Sequence, residues 1–178
     1  MRVTPVPAVP PKVVIGAVSH DAISRVARIG DGFLASRPEH IPVYLDALEQ
    51  EGQARADACV YHGDWLIVSD DPERTWSEIG GHATYQMRKY AEWGVFGPPA
   101  DAPSFPDPDA VLSDPRGYRL LDTETAVDEL VALLRAWPQI RDLHFWAKLP
   151  GEGIESSSGR IEHFASHVVP RVREQLSA

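Results

Sequence analysis

The chain has 178 residues, 43% of them apolar and 24% charged, which suits a globular domain with a real core and excludes a disordered or fibrous polypeptide. A formal charge of -9 with no compensating Lys/Arg run excludes a nucleic-acid backbone as partner, because counterion release needs a basic face. One cysteine, Cys59, excludes an internal disulfide framework and fits a reducing compartment; its apolar neighbours read as those of an inert structural thiol. The opening MRVTPVPAVPPK lacks the apolar core of a signal peptide and no later segment approaches a membrane span, so a soluble, cytoplasmic protein is expected.

Val13, Val14 and Ile15 form a continuous apolar run, as in a strand buried on both faces of a parallel sheet. Gly16 and Ala17 keep the next turn slim. Ser19 is a good N-cap, Asp21 follows in the first turn, Ala22, Ile23, Val26 and Ala27 repeat at helical spacing, and Gly30 stands at the C-cap. Residues 31–34 read as a second strand. A helix then runs through Ile41, Tyr44, Leu45 and Leu48 to Gly52, with Pro38 and Pro42 near its first turn, where a missing N–H costs least.

Residues 58–68, ACVYHGDWLIV, read as one long strand, and Asp70-Asp71-Pro72-Glu73 opens a helix to about Trp93 that Gly80-Gly81 weakens in its middle. Six prolines between Pro98 and Pro115 mark residues 97–119 as a loop over the surface with little regular structure. Thr123 caps a further helix through Val127, Leu130, Val131 and Leu134. Residues 143–147 form the last strand, Leu149–Gly153 a tight exit loop, and Ile161, Phe164, Ala165, Val168 and Val172 a closing helix. Four strands alternating with four helices force right-handed crossovers and a parallel sheet, either barrel or doubly wound.

At this point the residues resemble a family. PPKVVIGAVSHDAISRVARIGDGFL is similar to the strand, Gly-Gly-x-Ser, helix, Ala-Arg-x-Gly-Asp-Gly signature of the luciferase-like monooxygenases, and HFWAKLPGEGIESSSGRIEHFASHVVPRV to their last strand, Leu-Pro-Gly loop and last helix. The resemblance implies an α/β fold of alternating βαβα with parallel strands, the C-terminal half (strands 5–8) of a TIM (β/α)₈ barrel. It implies one half-barrel domain over residues 1–178 with 97–119 as an insertion. A whole barrel needs about 200 residues or more. The resemblance further implies a flavin-dependent oxidoreductase or monooxygenase using FMN or coenzyme F420 on a small-molecule substrate. A second copy or a complementary half-barrel subunit would complete the barrel by covering the strand edges near Val14 and Phe145, or the proline-rich loop would shield the open half-sheet. The alternative is a non-catalytic flavin-binding or partner subunit, or a truncated relative without activity.

By the same resemblance the cofactor phosphate would meet the turn Gly16, Ala17, Val18 and Ser19, where orphan N–H donors and a helix dipole face an anion. Ala17 stands where the family commonly has a second glycine, and the same residues also read as a plain strand-to-helix turn with Ser19 as its cap. Trp146 and Lys148, at the end of the last strand, are cofactor or substrate neighbours, Trp146 reading equally as a core aromatic. His62 and Asp64 are pocket groups or a bulge, His163 and His167 a solvated helix flank rather than zinc ligands, and Ser156-Ser157-Ser158 a helix cap. No catalytic acid or base and no metal ligand are assigned, which suits chemistry carried by a cofactor.

Overall fold

The computed structural model describes residues 7–98 and 100–178. In chain order the elements are β1 (Val14–Gly16), α1 (His20–Ile29), β2 (Gly32–Ala35), α2 (His40–Gln50), β3 (Val60–Asp64), β4 (Leu66–Val68), α3 (Pro72–Glu92), α4 (Pro108–Ser113), β5 (Arg119–Leu121), α5 (Thr123–Ala136), β6 (Ile140–Phe145), α6 (Ile154–His163) and α7 (Val169–Ser177). The expected parallel α/β alternation is present. Two compact units are distinguished: the described residues up to Asp64 with Trp137–His144, and Trp65–Ala136 with Phe145–Ala178.

The first unit carries a four-stranded sheet in the order β1-β2-β3-β6. β1 pairs parallel to β2 with Val14 opposite Gly32, and β2 parallel to β3 with Phe33 opposite Val60. Because side chains alternate along a strand, Phe33, Ala35 and Val60 share a face with Ile15 and meet Ile23, Val26, Ile41, Tyr44, Leu45 and Leu48 of α1 and α2. Each large side chain buried there contributes about 1.5–3 kcal/mol. The other face stays open: Val14 is 37% and Leu34 40% exposed. This corrects the doubly buried first strand, since an edge strand with helices on one side covers only one row of its side chains.

The second unit holds a two-stranded sheet, β4 parallel to β5, with Leu66 opposite Arg119. The long strand expected over 58–68 is therefore two strands in different sheets, parted at Trp65. Its core gathers Ile67, Trp76, Ile79, Met87, Phe105, Val111, Tyr118 and Leu149. Segment 97–119 departs from a surface course: Phe105, Val111 and Tyr118 are buried, Asp107 caps α4 by accepting from the Ala110 N–H at 2.9 Å, and β5 opens at its end. Pro99 lies outside the described residues. Gly80 does not interrupt α3; a Cβ there would come within 2.9 Å of Pro108 Cβ and 3.1 Å of the Trp76 ring, so the missing side chain is what lets α4 lie against the helix.

Three more boundaries move. α5 is capped by Asp122 rather than Thr123, its carboxylate accepting from Thr125 N at 2.9 Å and Thr125 Oγ1 at 2.8 Å. β6 ends at Phe145, so Trp146 and Lys148 lie past the strand. The closing helix is α6 and α7 joined by a π turn over Phe164–Val168. Pro170 explains that turn: it cannot donate to the Ser166 carbonyl and its ring crowds it, and the chain widens so that Val169 N–H reaches back to Phe164 O.

Candidate cofactor site

β1 ends at Gly16, and three residues later α1 begins. Ser19 is extended (φ -87, ψ 147), and its Oγ accepts from Ala22 N–H at 3.4 Å, so the cap is long. The first N–H groups of a helix have no intrahelical partner and sit at the positive end of its dipole. Ala17 packs half-buried against the first unit's core, while Val18 is 65% exposed and Ser19 is exposed. A Cβ at Gly16 would only touch Leu34 at 3.8 Å, so packing does not impose glycine there. The turn thus offers a phosphate backbone donors and open space. Asp21, in the first turn of α1, is an opposing carboxylate.

Trp146 and Lys148 are both exposed, Trp146 to 43%. The indole of Trp146 lies 6.0 Å from that of Trp65 and 6.3 Å from the Tyr90 ring, and Tyr90 continues to the exposed Trp93 at 5.7 Å. Lys148 forms no ion pair among the described residues. Its flanking peptides are held, however: Ala147 O accepts from Arg160 Nη2 at 3.2 Å, and Leu149 N–H donates to Glu152 Oε2 at 3.0 Å.

That clasp centres on the buried Glu152, the feature of this loop that motif reading misses. Its carboxylate receives both Nη groups of Arg160, Nη2 at 2.8 Å, and Ser156 Oγ–H at 2.7 Å. Burial alone would raise its pKa, but the Arg160 guanidinium, Leu149 N–H and Ser156 hydroxyl hold it down to about 2. From α3, His82 Nδ1 reaches Pro150 O at 3.0 Å, and Gly151 takes the left-handed conformation (φ 81). A signal was present: Glu152, Ser156 and Arg160 recur every fourth residue, the spacing of one helix face.

The remaining candidates resolve structurally. His62 is buried in β3, its Nδ1 3.0 Å from Ala35 O of β2. His163 Nε2 lies 2.8 Å from Thr123 Oγ1, and the His163 and His167 rings stack at 4.8 Å. The serine run falls inside α6, whose N-cap is Gly153, so the serines do not cap it. Among the described residues no group of three or more His, Cys, Asp or Glu side chains could hold a metal ion, and no helix is long and apolar enough to cross a membrane.

Comparison with solved structures finds the same fold in part of several longer chains. A monooxygenase from Streptomyces bottropensis is 17% identical with a TM-score of 0.59, the match covering 90% of this chain and 48% of that one. The coenzyme F420-dependent tetrahydromethanopterin reductase from Methanopyrus kandleri is 15% identical with a TM-score of 0.60, covering 90% and 51%. The oxygenating constituent of 3,6-diketocamphane monooxygenase from Pseudomonas putida, in complex with FMN, is 14% identical with a TM-score of 0.62, covering 90% and 49%. The chain thus spans about half the length of the solved structures it matches, a parallel α/β arrangement consistent with half a (β/α)₈ barrel. No family model matches the sequence. No curated protein matches it either.

Proposed function

We propose that this chain is a half-barrel domain of a flavin- or F420-dependent oxidoreductase or monooxygenase of the luciferase-like kind, residues 1–178 forming the domain with 97–119 as its insertion. A second copy or a complementary half-barrel subunit completes the barrel. The observation that carries this reading is the fold, shared over 90% of the chain with half of an FMN-bound and half of an F420-dependent enzyme. The open sheet face with Val14 and Leu34 exposed, and β1 and β6 at the sheet's edges, support a missing partner.

In this reading the backbone of Gly16, Ala17, Val18 and Ser19 holds the phosphate of FMN or F420, and Trp146 and Lys148 are proposed separately as cofactor or substrate contacts of the second unit. The reduced cofactor supplies the electrons; the chain's residues bind, orient and exclude water. One cysteine and an acidic balance agree with the cytoplasm. The test is a titration of FMN and of F420 into the chain, alone and with a candidate complementary half, followed by thermal unfolding and sedimentation. A bound cofactor raises the unfolding temperature by mass action. Binding of neither cofactor, even with the partner present, rejects the enzymatic reading in favour of a non-catalytic relative, and a compact monomer at micromolar concentration rejects the assembly.

A further inference from the structure

The second unit contains a groove of about 220 Å³ that no role above uses. Leu66, Ile67 and Val68 of β4 line one part of it, and Phe145, Phe164 and Ala165 another, with the Phe145 and Phe164 rings 5.0 Å apart. Phe164 and Ala165 belong to the π turn that Pro170 imposes, so the helix is widened where it borders the groove.

We infer that this groove binds a small, uncharged, hydrocarbon-rich molecule. Its assignment as the substrate pocket rests on the oxidoreductase reading; the chemistry of the groove itself does not. Size is the first argument. An apolar cavity of about 150 Å³ takes up benzene, so a site of this volume suits a somewhat larger ring system or a short branched chain. Charge is the second. Arg160 is the one cation among the described residues that line the groove, and its guanidinium is committed to the buried Glu152 carboxylate, to Ser156 Oγ and to Ala147 O. An anion entering the groove would meet no free counter-charge and would lose its hydration without compensation, whereas an uncharged ring gives up only water lying against carbon. Trp146 also borders the groove, which connects it to the residues proposed to flank the cofactor.

The test compares naphthol with naphthoate, two rings of like shape that differ in charge, by calorimetry on the full chain without flavin. Naphthol is expected to bind saturably and about tenfold or more tighter than naphthoate. Ala165→Phe, at an exposed position, should lower naphthol affinity about tenfold by filling the groove while leaving the unfolding temperature in place. Glu152→Gln frees the Arg160 charge and should raise naphthoate affinity relative to naphthol. Equal binding of the two ligands, or unchanged naphthol affinity in the Ala165→Phe protein, overturns the inference. So does a change in sedimentation of that variant, which would mean that another copy of the chain covers the groove. Naphthol binding in a protein that takes neither FMN nor F420 rejects the oxidoreductase reading and leaves the groove standing; flavin binding without naphthol binding rejects the groove alone.

Discussion

The turn after β1 and the loop after β6 each carry a strand into a helix, but they are fastened by different means. At Gly16–Ser19 the fastening is the backbone bond from Ile23 N–H to Ser19 O at 2.9 Å, a long side-chain cap bond and half-burial of Ala17, with Val18 and Ser19 open to water. At Ala147–Gly153 a buried carboxylate, a guanidinium, a serine hydroxyl and a histidine from α3 hold the chain together. The contrast teaches where a ligand can be served by backbone and where by side chains. In the proposed reading the exposed turn serves a phosphate, while a clamped loop keeps Trp146 and Lys148 in one place at the cost of burying charge.

The largest expected effect comes from breaking the clasp. Glu152→Ala leaves the Arg160 guanidinium, 14% exposed, without its partner and should destabilise the protein by about 3–5 kcal/mol in urea unfolding, with Glu152→Gln costing less. The clasp also sets an acid limit. A carboxyl held at about 2, against an ordinary 4.5, stabilises the fold fully above 4.5, and that stability is lost as pH falls from 4.5 towards 2. Unfolding midpoints across that range should fall more steeply for the natural protein than for Glu152→Gln, and parallel slopes would show that another carboxylate governs acid unfolding.

Changes in the β1 turn should act on ligand rather than on fold. Val18→Glu adds a negative charge at a 65% exposed position and is expected to weaken FMN binding about tenfold, or about 1.4 kcal/mol, with the unfolding curve unmoved. Asp21→Asn should do the reverse on a smaller scale, tightening FMN by about 0.3–1 kcal/mol as the helix dipole loses its internal counter-charge. FMN affinity indifferent to both would remove this turn from the site. The smallest effect is expected from Ser19→Ala, about 0.5 kcal/mol of stability, because the cap bond is already 3.4 Å long.

The first unit was readable because its signals are local: an apolar run, a Ser cap with an acidic first turn and a glycine stop name β1, α1 and β2 in order. What escaped was tertiary. The run ACVYHGDWLIV passes through Trp65 without a proline, and the sequence alone does not show that β3 and β4 pair with different partners. Phe105, Val111 and Tyr118 are scattered among prolines and aspartates, and their burial depends on α3 offering Gly80 as a gap. In the candidate site, the Ser19 cap and Asp21 in the first turn lie where spacing predicted them. The displacement of Trp146 and Lys148 past the strand follows from a β6 that starts early, at Ile140, and the clasp combines a loop carboxylate with helix donors, which strand and helix patterns treat separately.

The shortness of β1, three residues from Val14 to Gly16, has a consequence for solubility. A free strand margin is a template on which other chains aggregate, and here the margin of β1 is cut short from several sides. Pro10 and Pro11 have no N–H to offer, and β1 itself is three residues long. At the other margin, Arg141, Asp142 and His144 place polar and charged groups along β6. Indiscriminate fibre-like stacking is thereby discouraged, and a partner that does pair at β1 must match a register of three residues, so selectivity at this seam comes from brevity rather than from a large sticky surface.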